Sequence, residues 1–88
     1  MGSVIEMAAD LHRSFLERAK QAVRLVCVTY QNGGGLVSSQ GFVSGFFKGR
    51  IDYWGSDEME FVELARGHVG PHRWFPVSNI TQVAEVRG

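Results

Sequence analysis

A mainly β domain with one N-terminal helix, folded as a small five-stranded barrel that the helix caps, is what three features of this sequence predict. The first is a stretch of helical period over residues 4–22. The second is an abrupt change, near Arg24, to β-branched and aromatic runs punctuated by glycine as far as residue 86. The third is the segment from Gly41 to Trp54, which holds five of the ten aromatic residues and three glycines. Aromatic and β-branched side chains favour a pleated, half-buried surface, and glycine inside such a run marks a bulge, a bend or a close backbone approach. Residues 41–54 therefore read as one bent central strand, of the kind that lets a small barrel close without an unpaired edge.

In the first element, Val4, Ala8, Leu11, Phe15, Ala19 and Ala22 recur at steps of three and four and form one stripe. Ser3 with Glu6 suits a capping box, and Asp10 is an alternative cap. His12, Arg13, Glu17, Lys20 and Gln21 occupy the opposite face and are expected to be wet. Leu25 to Tyr30 then reads as a strand, ended by Asn32-Gly33, a strong hairpin signal because both residues tolerate positive φ. The glycines after it, with Ser38-Ser39, suggest a loose connection.

Gly55-Ser56-Asp57 follows the central stretch as a turn. Residues 58–66 fit two patterns. A helix would have Asp57 and Glu60 as its capping box and Gly67 as its stop. A strand is preferred, because a hairpin partner follows: residues 67–71 make a turn and His72-Arg73-Trp74-Phe75 the returning strand. Pro76, lacking a backbone donor, ends that strand or lies at an edge. Val77-Ser78-Asn79 is a tight turn, and residues 80–86 a last short strand.

The chain of 88 residues is read as a single domain, 1–88, with the helix over about 4–22 and the barrel over about 24–86. Nine basic and nine acidic residues leave no net charge, which gives no electrostatic reason for a strong nucleic-acid or anionic-membrane partner. One cysteine allows no internal disulfide framework, no apolar run reaches the roughly 20 residues of a membrane span, and no signal-peptide pattern opens the sequence. The expectation is a cytoplasmic protein without a membrane partner.

Helix, then five strands, the last two joined by a very short turn, is a layout that resembles Sm-like and other SH3-like small barrels. Gly41-x-Val43-x-Gly45-Phe46 looks like the start of the first Sm motif. Phe75-Pro76-Val77-Ser78-Asn79-Ile80-Thr81-Gln82-Val83 is similar to the fourth-strand, tight-turn, fifth-strand end of bacterial Sm-like proteins such as Hfq. The same plan resembles the small bacterial inhibitor of the Rho terminator. The resemblance implies a barrel over about residues 10–86, carried by glycine and apolar positions that identify a fold better than a job. At the positions where Sm proteins place an Asp and a base-contacting Asn, this chain has Phe47 and Ile51. Arg66-Gly67 matches the Arg-Gly of the second Sm motif but lies one hairpin too early.

Catalytic motifs are absent from the sequence: there is no nucleophile elbow, no P-loop and no dinucleotide fingerprint, so the chain is read as non-enzymatic and without a cofactor. Cys27, mid-strand among apolar neighbours, reads as an inert thiol. His68 and His72 are separated by Gly70-Pro71, which forbids the helix that would aim both at one metal, so no metal is expected.

Adjacent aromatic pairs carry the functional reading. Side chains alternate along a strand, so Phe46-Phe47, Tyr53-Trp54 and Trp74-Phe75 should each put one ring on each face of the sheet. One set fills the barrel; the other needs the helix, another subunit or a ligand to cover it. These six residues are the candidate interaction surface of a self-associating module with a protein or small-ligand partner. Lys48, Arg50, Arg66 and Arg73 are candidate contacts for single-stranded nucleic acid, a less favoured partner. Asp57, Glu58, Glu60 and Glu63 form a candidate acidic surface for blocking a basic site on another protein.

Overall fold

Residues 20 to 24 show how the first element is stopped. In the computed structural model, which describes residues 4–66 and 72–86 with side chains from Asp10 onward, helix α1 runs over Val4–Ala22. Arg24 N–H donates to the Ala19 carbonyl at 3.0 Å and Val23 N–H to the Lys20 carbonyl at 3.2 Å. This is the paired closure of a Schellman motif. Its left-handed position is held by Val23, at φ 53°.

Strand β1 (Leu25–Asn32) turns through Gly33-Gly34 directly into β2 (Gly35–Gly49), with Asn32 opposite Gly35 and Gly33 at φ 61°. The hairpin turn is thus where Asn-Gly placed it. The loose connection is not: Ser38 and Ser39 are paired with Thr29 and Val28 inside the ladder. The central strand accordingly starts six residues earlier than expected and stops at Gly49. Asp52–Trp54 is a 3₁₀ turn, so the pair Tyr53-Trp54 does not lie in a strand. Bending occurs at Ser44, an extra residue between the Val43–Leu64 and Gly45–Glu63 pairs. At Gly41 the backbones come close: a Cβ there would stand 3.0 Å from the Ala65 carbonyl oxygen.

The segment with two readings is strand β3 (Met59–Ala65), paired with β2 on one side and β4 (His72–Pro76) on the other. A second 3₁₀ turn, Val77–Asn79, leads to β5 (Ile80–Glu85). The protein is therefore mainly β: one five-stranded antiparallel sheet in the order β4-β3-β2-β1-β5, with an N-terminal helix. The sheet is not closed. β4 and β5 are joined by a single turn yet do not pair with each other, so two edges remain where sequence reasoning expected closure. Pro76 is the last residue of one edge strand, which satisfies both of its constraints.

The inner face of the sheet supplies Val26, Val28, Tyr30, Val43, Val62, Leu64, Phe75 and Ile80 to one buried cluster, and α1 adds Leu16 and Ala19. The buried stripe of α1 is rotated from the expected one. Leu11 is 69% exposed and Ala22 is exposed, while Leu16 is fully buried; Val4, Ala8 and the Ser3–Glu6 box lie outside the described side chains. Because α1 runs unbroken from Val4, Asp10 is not its cap. His12 and Arg13, expected in water, are half-buried. His12 Nδ1 is buried with no hydrogen-bond partner among the described residues. Arg13 lies 4.8 Å above the Phe46 ring and donates from Nε to Glu60 at 2.8 Å and from Nη1 to Glu17 at 2.9 Å. The hydrogen bond to Glu60, chiefly, raises the guanidinium's pKa further above its ordinary value. No helix among the described residues is long and apolar enough to cross a membrane.

Candidate functional site

Three sequence-predicted rings meet at one place. The 3₁₀ turn after β2 carries Tyr53 and Trp54 towards β4, where Trp74 stands on the edge strand. Trp54 Nε1–H donates to the Trp74 carbonyl at 3.1 Å, and the Tyr53 hydroxyl donates to Asn32 Oδ1 at 2.9 Å. These two bonds tie the turn to β4 and to the end of β1. Between them lies an open cleft of about 310 Å³. Tyr53 is 71% exposed and Trp74 41%.

The cleft has a rigid floor. Tyr53 meets Trp54 edge-on at 5.1 Å, Trp54 meets Tyr30 edge-on at 6.1 Å, and Tyr30 stacks on Phe75 at 4.2 Å with the rings 6° apart. Aromatic geometries of these kinds are favourable beyond the area they bury. The chain of rings runs from solvent to a core residue, Phe75, which is 1% exposed and therefore not part of any surface.

On the outer face a second, smaller cluster forms. Phe47 stacks on Phe61 at 5.1 Å, and Trp74 meets Phe47 edge-on at 4.7 Å. Phe61 is fully buried there, outside the main core cluster. Much of the second set of rings is thus covered by its own members rather than by helix or partner. Phe46 is half-buried against the core beneath Arg13. Of the six candidate rings, Tyr53, Trp54 and Trp74 form the cleft, Phe47 buttresses it, and Phe46 and Phe75 belong to packing.

The four candidate cations do not form one patch. Lys48 pairs across the ladder with Glu60, whereas Arg66 follows the other end of β3, roughly 20 Å away along the strand. Arg50 lies beyond Gly49, with Lys48. Arg66 and Arg73, by contrast, line one cavity of about 380 Å³ together with Ser38, Ser39 and Gln40 of β2 and Cys27 of β1. Arg73 also lines the aromatic cleft.

The acidic candidates are divided too. Glu60 is engaged by Arg13, and Glu63 lies 3.1 Å from His72 Nδ1, while Asp57 and Glu58 are exposed in the connection before β3. His68 lies outside the described residues. Among the described residues no group of three or more His, Cys, Asp or Glu side chains could hold a metal. A third hollow, about 280 Å³, runs between α1 and the start of β1, with the Arg24–Glu85 ion pair of 2.8 Å on its wall.

No protein-family model, curated protein or solved structure matches this chain. Its site must be read from its own geometry.

Among the described residues, neither the aromatic cleft nor the arginine-lined cavity has an Asp or Glu in its wall. A cationic ligand would meet Arg73 with no carboxylate to offset it, so the surface suits a neutral or anionic group carrying a flat ring. Sequence reasoning missed Tyr30, Asn32 and Ile51 in the cleft and Ser38 to Gln40 in the cavity. Asn32 had the only local signal, as the residue flanking the hairpin turn. The others are brought in by strand register, which no single stretch of sequence displays.

Proposed function

We propose that this protein is a non-catalytic interaction module of the SH3-like, Sm-like small-barrel type, which docks a protein or small-ligand partner in the cleft between Tyr53 and Trp74. The observation that carries the reading is that two large rings stay exposed while hydrogen bonds and ring contacts hold them open. An accidental surface aromatic is seldom pinned on both sides, and rigid aromatic anchors are what recognition surfaces use. The strand order and the one-turn link from β4 to β5 support the small-barrel assignment. The free edges of β4 and β5 support self-association by strand pairing, the ordinary hazard and use of an uncovered edge. An inhibitor acting through Asp57 to Glu63 has less support, since Arg13 and His72 already occupy two of its four carboxylates.

The test uses the two indole N–H signals of the nitrogen-15-labelled protein, which has two tryptophans. A library of flat ring compounds and short peptides is screened, with Tyr53→Ala as the control. Ligands should shift both indole signals, and the substitution should remove the response while leaving the rest of the spectrum in place. If nothing in the library moves either indole, the cleft is not a docking site.

A further inference from the structure

We propose that the uncovered stripe of α1 is a homodimer interface, closed by α1 of a second copy running antiparallel, with each copy's Leu11 seated in the other's hollow beside Ala22. The inference rests on the self-association part of the proposed function and places it on the helix rather than on the strand edges. The aromatic cleft plays no part in it.

A helix lying on a sheet needs one apolar stripe, and α1 has more than one. The sheet takes Leu16 and Ala19, both buried. Leu11, Phe15, Arg18 and Ala22 follow one another at steps of four, three and four, and in the sequence Val4 and Ala8 precede them with the same alternation. Such steps are the a and d positions of a heptad, the spacing by which one helix packs along another. Leu11 and Ala22 are exposed and Phe15 is half-buried, so the sheet leaves most of this seam open.

The same face carries a knob and a hollow. Leu11, largely in water, is the knob. The hollow of about 280 Å³ has an apolar floor of Phe15, Ala19 and Ala22 from α1 and Val26 from β1, with room for a leucine side chain. Leu11 and Ala22 lie about 16 Å apart along the helix axis. A two-fold axis midway between them sets each Leu11 against the other copy's Ala22, over the hollow. Both knobs and both hollows are then used, which is the closure an isologous interface requires.

Arg18 decides the direction. It is exposed and has no ion-pair partner among the described residues. A parallel pair in register would set Arg18 against Arg18, two like charges. The point midway between Leu11 and Ala22 is also midway between Phe15 and Arg18, so the antiparallel pair sets each guanidinium over the other copy's Phe15 ring. Arg13 makes that kind of contact within one copy, 4.8 Å above Phe46. The seam is only ~28 Å long, so the dimer should be weak, with a micromolar dissociation constant.

Sedimentation equilibrium of the full chain is compared with that of Leu11→Gln, which keeps helix propensity and removes the knob. Leu11 is exposed within one copy, so the variant's amide spectrum should stay that of a folded chain. Two leucines leave the interface per dimer, and the dissociation constant should rise about tenfold or more. Arg18→Gln should raise it about fivefold, whereas a parallel pair would tighten on losing the two charges. Direction is also read by disulfide trapping in a Cys27→Ser background. Leu11→Cys mixed with Ala22→Cys should cross-link, and either variant alone should not.

Trapping within Leu11→Cys alone, or tighter association of Arg18→Gln, overturns the antiparallel pair. Association unchanged in Leu11→Gln overturns the helix interface and leaves the strand edges as the contact. A monomer at every concentration overturns both, and leaves the stripe to an unlike partner.

Discussion

Val23 is a β-branched residue in a left-handed conformation, where the side chain crowds the following carbonyl at a cost of roughly 1–2 kcal/mol. It is 74% exposed, so little packing offsets that cost. Val23→Gly relieves the crowding and adds unfolded-state entropy, two effects of opposite sign, with the first the larger. We expect a gain of about 0.5–1 kcal/mol, read as a rise of a few degrees in the thermal midpoint. Gly41 is the reverse case. A methyl group there meets the Ala65 carbonyl oxygen at 3.0 Å and the Leu64 Cβ at 3.3 Å, and the oxygen belongs to backbone that cannot swing aside. Gly41→Ala should lose about 1–3 kcal/mol in urea unfolding. A bulge, a bend or a close approach at Gly41 was legible in the sequence, because glycine inside an aromatic run marks one of those three. The identity of the residue it approaches was not.

Among the elements, α1 and β3 teach opposite lessons. The helix was plain from its period, but the face it buries was not. Leu11 and Leu16 are equally apolar, and only the position of the sheet beneath makes Leu16 the anchor and leaves Leu11 in water. Arg13 went the same way: an arginine on a helix reads as wet until a carboxylate of β3, Glu60, and a ring, Phe46, are found under it. β3 fitted two periods and was resolved by a non-local argument, the presence of a returning strand. Both of its faces are buried at Phe61 and Val62, since the outer face has its own small cluster. Phe61→Ala should therefore cost about 3–5 kcal/mol, as much as a residue of the main core, although it points away from that core. Phe47→Ala, from a half-exposed position above it, should cost less. A denaturant midpoint for Phe61→Ala near that of the unsubstituted chain would show that the outer cluster is not a second core.

For the whole molecule the open question is where the remaining apolar area goes. Phe47, Phe61 and Trp74 cover one another, which removes much of the need for a partner that adjacent rings imply. Tyr53 and Trp74 remain in water, and two sheet edges remain unpaired. Sedimentation equilibrium should show association that strengthens with concentration. A monomer at every concentration would remove the self-association reading and leave the cleft untouched. Tyr53→Ala separates binding from folding, because Tyr53 is 71% exposed and outside the buried core. The variant should stay within about 1 kcal/mol of the parent stability while losing cleft ligands. Trp74→Ala is a poorer probe, since it also uncovers Phe47.

Local chemistry was enough for the helix, the hairpin at Asn32-Gly33, the short turn before Ile80 and the mainly β class. Period, glycine and proline act within a few residues, and so does the information they hold. Which rings stay in water, which arginines share a cavity and whether the sheet closes were set by register and curvature. Those depend on strands far apart in the chain: Arg73 lines both Trp74's cleft and Ser39's cavity, and the pairing of β4 with β3 and of β3 with β2 sets it there. A sequence read stretch by stretch contains no measure of that curvature.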